Sequence, residues 1–150
     1  MNELKRILYA EDDERDVELT LNALSEYNLA NEVIVVNNGE EALDYLYYQG
    51  RFINRPVGNP ALILLDIKMP KVTGLEVLKK VKSDPVLKVL PAVILTSSRE
   101  EKDFLEGYHL GANAYVVKPV DFGEFIHTVK ELGLFWAVIN EPPPISLKKR

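Results

Sequence analysis

The chain has 150 residues, 47% of them hydrophobic, which suits one compact domain with a full core. Its formal net charge of −5 argues against nonspecific nucleic-acid binding, and the absence of cysteine excludes disulfides, thiolate chemistry and cysteine-based zinc sites. No apolar run approaches the roughly 18 residues of a membrane span, and the amino-terminal stretch is too short and too acidic for a signal peptide, so we expect a soluble cytoplasmic protein with no membrane partner.

Short apolar runs alternate along the chain with longer segments of helical periodicity. The runs are RILYA (6–10), EVIVV (32–36), ALILL (61–65), PAVIL (91–95) and AYVV (114–117). The apolar residues that follow them fit helix faces: Val17, Leu19, Leu21, Leu24 and Tyr27; Ala42, Leu43, Leu46 and Tyr47; Leu75, Val77, Leu78 and Val81; Phe104, Leu105, Tyr108 and Leu110; Phe122, Phe125, Ile126, Val129 and Leu132. Because the runs are continuously apolar, both of their faces are expected to be buried. The sequence therefore predicts an α/β fold with a five-stranded, doubly wound parallel sheet.

Two segments fall outside this alternation. Residues 48–60 contain glycine and proline and are predicted to form a surface loop before the third strand. The chain after the fifth helix ends in an apolar and proline-containing stretch. We therefore divide the chain into a domain of residues 1–133 and a C-terminal extension of residues 134–150.

The extension begins with a run, 134–139, that is apolar on every side before Pro142 halts any helix. Leaving several large apolar side chains in water costs roughly 1.5–3 kcal/mol each, and such a patch usually marks an interface. Two interpretations stay open. The extension is an arm that packs on a second copy in a homodimer, or it folds back on its own domain.

Polar side chains stand at the carboxyl ends of four of the predicted strands. Glu11 and Asp12 follow the first strand, Asp66 follows the third, Thr96 the fourth and Lys118 the fifth. In a doubly wound sheet, ligands bind beyond these strand ends. Each residue alone has an ordinary structural explanation, but four independent strand ends are unlikely to supply one site by chance.

The acidic stretch EDDERD (11–16) suggests a metal site. Carboxylates are hard oxygen ligands that suit Mg²⁺, and His109 and His127 are too scattered to form a site for a softer metal. Asp13, Glu14 and Asp16 are explained by the start of a helix, where negative charge is favoured. A carboxylate beside a metal and a lysine can also act as a nucleophile toward phosphorus.

The segments ILYAEDDERD, ALILLDIKMPKVTGLEVL, PAVILTSS and GANAYVVKPVD resemble the receiver domain of two-component response regulators, over residues 5 to about 132. The resemblance implies a flavodoxin-like receiver fold and a phosphoryl group accepted by Asp66 from a histidine kinase. It also implies that Asp12, Asp66 and the backbone carbonyl of Lys68 bind Mg²⁺ directly, and that Glu11 acts through water. Met69-Pro70 and Gly74 match the family's loop after the acceptor.

The resemblance implies roles for three further residues. Thr96 and Lys118 would bind the phosphoryl group, and Tyr115 would be the aromatic that switches position with Thr96. Lys118-Pro119 matches a bond that is cis in the family. The chain departs from the family in its acidic pair, which is Glu-Asp and not Asp-Asp. Lys68 and Ser98 match positions that tune phosphoryl lifetime in the family.

The long 48–60 connection and the apolar extension are most similar to single-domain regulators partnered with cyanobacterial and other bacterial phytochromes. This resemblance implies a phytochrome-type histidine kinase as partner, and a homodimer formed by the extension and the fourth and fifth helices. The output would be a phosphorylation-dependent protein–protein interaction rather than catalysis.

Other functions fit the sequence less well. A phosphatase that forms an aspartyl phosphate is the alternative, but enzymes of the haloacid-dehalogenase type carry a second aspartate where Lys68 stands. No glycine-rich nucleotide-binding motif follows any strand. The residues after Leu132 are too few and too rich in proline for a DNA-binding module.

Overall fold

The computed structural model describes residues 6–26, 32–97, 100–118 and 123. The strands are β1 (Arg6–Ala10), β2 (Glu32–Val36), β3 (Leu62–Leu65), β4 (Ala92–Thr96) and β5 (Ala114–Val117). The helices are α1 (Glu14–Glu26), α2 (Gly39–Leu46), α3 (Gly74–Ser83) and α4 (Glu101–His109), with 3₁₀ turns at Gly50–Phe52 and Leu87–Val89. In this part of the chain no helix has the length and apolar character needed to cross a membrane.

All five strands form one parallel sheet in the order β2-β1-β3-β4-β5. The reversal of strand order at β1 defines a doubly wound fold of the flavodoxin-like receiver type, which confirms the predicted fold class. Strands β3 and β4 each begin one residue later than predicted, and β4 extends to Thr96. The predicted fifth helix and the C-terminal extension lie outside the described residues.

The core explains why the strand runs are continuously apolar. The strands β1, β3 and β4 are buried along almost their whole length, because helices cover both faces of the sheet. The predicted helix faces are wrong at Leu105 and Tyr108 of α4, which are exposed, and at Leu19 of α1, whose side chain is 61% exposed. The helix buries Thr20 instead, and its hydroxyl lies 3.1 Å from the hydroxyl of Tyr9. The pattern of hydrophobic residues alone does not predict the buried face of α1, because part of that face is a polar residue that pairs with Tyr9.

The 48–60 segment is more ordered than a plain surface loop. Phe52 is buried and packs edge-on against Tyr45. The guanidinium of Arg55 lies between the rings of Tyr45 and Tyr48, 3.8 and 3.9 Å from their centroids, and its Nε donates to the carbonyl of Tyr45 at 2.7 Å. We call this arrangement the Arg55 sandwich. It fastens the segment to α2 through cation–π contacts and a backbone hydrogen bond.

Candidate functional site

Three carboxylates meet at the carboxyl ends of β1 and β3. Glu11, Asp12 and Asp66 each offer an oxygen, and these atoms all lie within 4.8 Å of one another. The backbone places two of them, since the amide of Asp66 donates to Ala10 and that of Glu11 donates to Val36, both at 3.0 Å. Hard oxygen donors grouped in this way match the ligand preference of Mg²⁺, so the donor set fits the predicted metal.

Lys118, at the end of β5, provides the positive charge of the site. Its Nζ donates to Glu11 Oε1 at 2.6 Å and to Asp16 Oδ2 at 2.7 Å, and it lies 3.8 Å from Asp66 Oδ2. The predicted site residues Glu11, Asp12, Asp66 and Lys118 therefore lie together. Asp16 joins them, although its position in the sequence predicts only a role at the start of a helix.

The electrostatics of the site follow from its burial. The side chain of Glu11 is only 1% exposed, and burial together with the nearby carboxylate of Asp66 raises its pKa to about 7 despite the hydrogen bond from Lys118. Burial lowers the pKa of Lys118, but its bonds to Asp16 and Glu11 outweigh this and raise the pKa above the usual lysine value. Lys118 is thus held as a cation, and breaking the pair would leave a buried charge on Glu11 without compensation.

The hydroxyls of Tyr9 and Thr20 lie beside the buried carboxylate of Glu11. Tyr9 is fully buried, and its hydroxyl lies 3.4 Å from Glu11 Oε1 and 3.1 Å from the hydroxyl of Thr20 on α1. Burial raises the pKa of Tyr9, so the phenol stays protonated and can donate. Tyrosine in a run of strand residues gives no sign in the sequence that its hydroxyl contacts an acidic site.

The loop after Asp66 is held by two glycines that no other residue could replace without movement. A Cβ on Gly74 would lie 1.9 Å from the carbonyl oxygen of Asp66, and one on Gly39 would lie 2.1 Å from that of Val72. The amide of Gly74 also donates to Ile67 at 2.9 Å. Helix α3 then begins with a reciprocal capping box between Thr73 and Glu76. The loop 67–73 is therefore pinned at both ends against the acceptor position.

The remaining predicted residues lie on β4 and β5 or in the loop. Thr96 ends β4 and is buried, and its carbonyl accepts from the amide of Lys118 at 2.8 Å. Tyr115 is 9% exposed and stacks on Phe104 of α4 with ring centroids 4.0 Å apart. The side chain of Lys68 forms an exposed ion pair with Glu100 at 3.6 Å. The predictions for Ser98 and for a cis Lys118-Pro119 bond depend on Ser98 and Pro119, both outside the described residues.

Comparison with known proteins decides the family. Residues 7–130 match the response regulator receiver domain. The chain belongs to this family. It is therefore a receiver domain, a signalling protein whose output depends on phosphorylation, and the family predicted from the motifs is confirmed.

Several relatives of this receiver domain are phytochrome response regulators. The bacteriophytochrome response regulator RtBRR is 59% identical with a TM-score of 0.82, and covers 97% of this chain and 88% of its own. The bacteriophytochrome response regulator AtBRR is 56% identical with a TM-score of 0.83, and the match covers 93% of this chain and 100% of AtBRR. Response regulator Rcp1 of Synechocystis is 36% identical, and the match covers 90% of each chain. The Mn(2+)-bound structure of response regulator Rcp1 has a TM-score of 0.74 at 35% identity, and the match covers 93% of this chain and 99% of that one. The predicted similarity to phytochrome regulators is confirmed.

Proposed function

We propose that this receiver domain accepts a phosphoryl group on Asp66 from a phytochrome-type histidine kinase in the cytoplasm. The observation that carries the proposal is the position of Asp66, which is 7% exposed and lies between two further carboxylates and the ammonium of Lys118. A carboxylate in this setting is poised to act as a nucleophile toward an incoming phosphoryl group.

The transfer is a single displacement at phosphorus. An oxygen of Asp66 attacks, a new P–O bond forms, and the P–N bond to the donor histidine breaks. The electron pair of that bond returns to the imidazole, whose other ring nitrogen carries the proton that keeps the leaving group neutral. Lys118 would bind a phosphoryl oxygen and Thr96 another, which stabilises the charge of the transferring group.

Mg²⁺ is the proposed cofactor, held by Asp12, Asp66 and the backbone carbonyl of Lys68, with Glu11 acting through water. The three-carboxylate cluster supports this set, as does the relative Rcp1, whose structure was solved in an Mn(2+)-bound form. When bound, the ion supplies positive charge that offsets the negative charge of the phosphoryl oxygens.

Thr96 and Tyr115 are proposed to act as the switch. A phosphoryl group adds roughly one unit of negative charge and three acceptor oxygens, which draw the Thr96 hydroxyl toward Asp66. Movement of Thr96 would change the space beside Tyr115 and its stack on Phe104, and so the surface of α4. Crystal structures with and without beryllofluoride test this. An unmoved Thr96 and an unchanged Tyr115 rotamer would contradict it.

The output is proposed to be an interaction surface that includes a homodimer through α4, the fifth helix and residues 134–150. Leu105 and Tyr108 on α4 are exposed, which supports an interface on this face. Light scattering on the full chain and on a chain without residues 134–150 tests the dimer. A full chain that is monomeric at tens of micromolar, whether phosphorylated or not, would refute the proposed homodimer.

The acceptor assignment is tested with acetyl phosphate and Mg²⁺. Asp66→Asn keeps the size of the side chain but removes the nucleophile, so we expect no phosphoprotein by intact mass. Asp13→Asn is the matched control, because Asp13 is exposed at the start of α1 and asparagine caps helices equally well. Undiminished phosphorylation of Asp66→Asn would refute the proposal. Sustained release of phosphate from a phosphomonoester such as p-nitrophenyl phosphate would instead favour the phosphatase alternative, which Lys68 disfavours. Release from acetyl phosphate does not discriminate, because the aspartyl phosphate of a receiver hydrolyses itself.

A further inference from the structure

Asp16 on α1 holds the cation of the site, and the roles proposed above do not use it. The Nζ of Lys118 lies 2.7 Å from Asp16 Oδ2 and 2.6 Å from Glu11 Oε1, but 3.8 Å from Asp66 Oδ2. The first two distances are those of charge-assisted hydrogen bonds, and the third is the outer range of an ion pair. In the resting protein, Lys118 is thus bonded to two acids that are not the acceptor.

The backbone at the start of α1 fixes where Asp16 stands. Asp13 Oδ1 accepts from the amides of Arg15 at 2.9 Å and Asp16 at 3.1 Å, which caps the helix. Because its own amide is part of the cap, Asp16 is tied to the first turn of α1. The bond to Lys118 therefore links α1 to the end of β5.

The carboxylates of Glu11 and Asp16 would be destabilised to different degrees if Lys118 moved away. The side chain of Glu11 is 1% exposed, so losing the ammonium would leave a buried carboxylate without compensation. The side chain of Asp16 is 33% exposed, so water can solvate its carboxylate if Lys118 leaves. Asp16 is the partner that Lys118 can release.

We propose that Asp16 is a positioning residue that holds Lys118 in the resting protein, and that Lys118 exchanges Asp16 for a phosphoryl oxygen when Asp66 is phosphorylated. The phosphoryl group competes because it adds negative charge and three acceptors beside Asp66. The exchange is noncovalent and moves no proton. It frees the start of α1 from β5, so α1 responds to phosphorylation together with the β4 and β5 side of the domain. This inference rests on the proposed function of Asp66.

The test measures binding of beryllofluoride, a mimic of the phosphoryl group, by titration calorimetry in Mg²⁺ with the full chain. Asp16→Asn removes the charge but keeps the shape of the side chain. The ion pair that Lys118 must give up before it binds the mimic is therefore weaker. We expect the Kd of this variant to fall by about 2- to 5-fold, the range for a partly exposed ion pair. Glu18→Gln is the matched control, because it removes an exposed acid from the same helix, and we expect an unchanged Kd.

Thermal unfolding with and without saturating beryllofluoride separates positioning from other roles. Positioning predicts that Asp16→Asn lowers the Tm of the resting protein and leaves that of the complex close to wild type. An equal loss in both states, with an unchanged Kd, would show a merely structural ion pair and overturn the proposal. An unchanged resting Tm with a more stable complex would show direct repulsion of the anion by Asp16, and would also overturn it. A wild-type chain that does not bind beryllofluoride would refute the proposed function itself, and the exchange with it.

Discussion

Gly74→Ala should damage both stability and phosphorylation, because it places a methyl group against the backbone of the acceptor. The new Cβ would lie 1.9 Å from the carbonyl oxygen of Asp66, more than an ångström inside the 3.0 Å below which Cβ contacts essentially never fall. The obstacle is backbone, so α3 or the acceptor strand must shift. Overpacking of this kind costs about 1–3 kcal/mol, while alanine gains roughly 0.5–1 kcal/mol over glycine in a helix.

The obstacle is rigid backbone, so the cost should lie at the upper end of that range. We therefore expect a net loss of about 2 kcal/mol in the free energy of unfolding, measured by urea denaturation followed by circular dichroism. The displaced acceptor should also be phosphorylated at least about tenfold more slowly by acetyl phosphate. Gly107→Ala is the matched control, since its Cβ would meet the flexible end of Ile94 at 2.7 Å, and it should stay within about 1 kcal/mol of wild type. A Gly74→Ala protein as stable and as reactive as wild type would refute this reasoning.

Three further predictions concern the elements that support the site. Thr73→Ala should lower the free energy of unfolding by about 1 kcal/mol, measured by urea denaturation, because it removes the capping box of α3. Arg55→Lys keeps the charge but loses the planar contacts of the Arg55 sandwich, so limited proteolysis should cut within residues 48–60 faster than in wild type. The hydrogen bond from Tyr47 and two backbone amides lower the pKa of Asp84, so its contribution to stability is present at neutral pH and lost as the pH falls through that lowered pKa. Asp84→Asn should therefore show a flatter loss of thermal stability on acidification than wild type, and an identical slope would contradict this.

The fold and most of the site could be predicted because both depend on short-range patterns. Five continuous apolar runs fix a buried parallel sheet, and the carboxyl ends of parallel strands always meet at one edge. That rule alone brings Glu11, Asp66 and Lys118 together from positions far apart in the sequence. The family motifs then assigned a role to each of them, and the family is confirmed.

The parts that could not be predicted depend on side-chain contacts between elements. Acids at a helix start are common, so nothing in the sequence distinguishes Asp16, which bonds Lys118, from Glu14, which does not. The Arg55 sandwich forms because residues 48–60 fold back against α2, and no local sequence pattern predicts that contact. Hydrophobic periodicity places Leu19 on the apolar face of α1, but the buried side of the helix is completed by Thr20, a polar residue that such a pattern does not count.

Reductive trapping of the phosphoprotein tests the acceptor assignment most directly. Borohydride cleaves an acyl phosphate and converts the aspartate that carried it to homoserine, which tandem mass spectrometry locates in the chain. After reaction with acetyl phosphate and Mg²⁺, we predict homoserine at position 66 alone, and none when Mg²⁺ is removed with a chelator. Homoserine at Asp12, or a phosphoprotein without homoserine at position 66, would contradict the assignment of Asp66 as the phosphoacceptor.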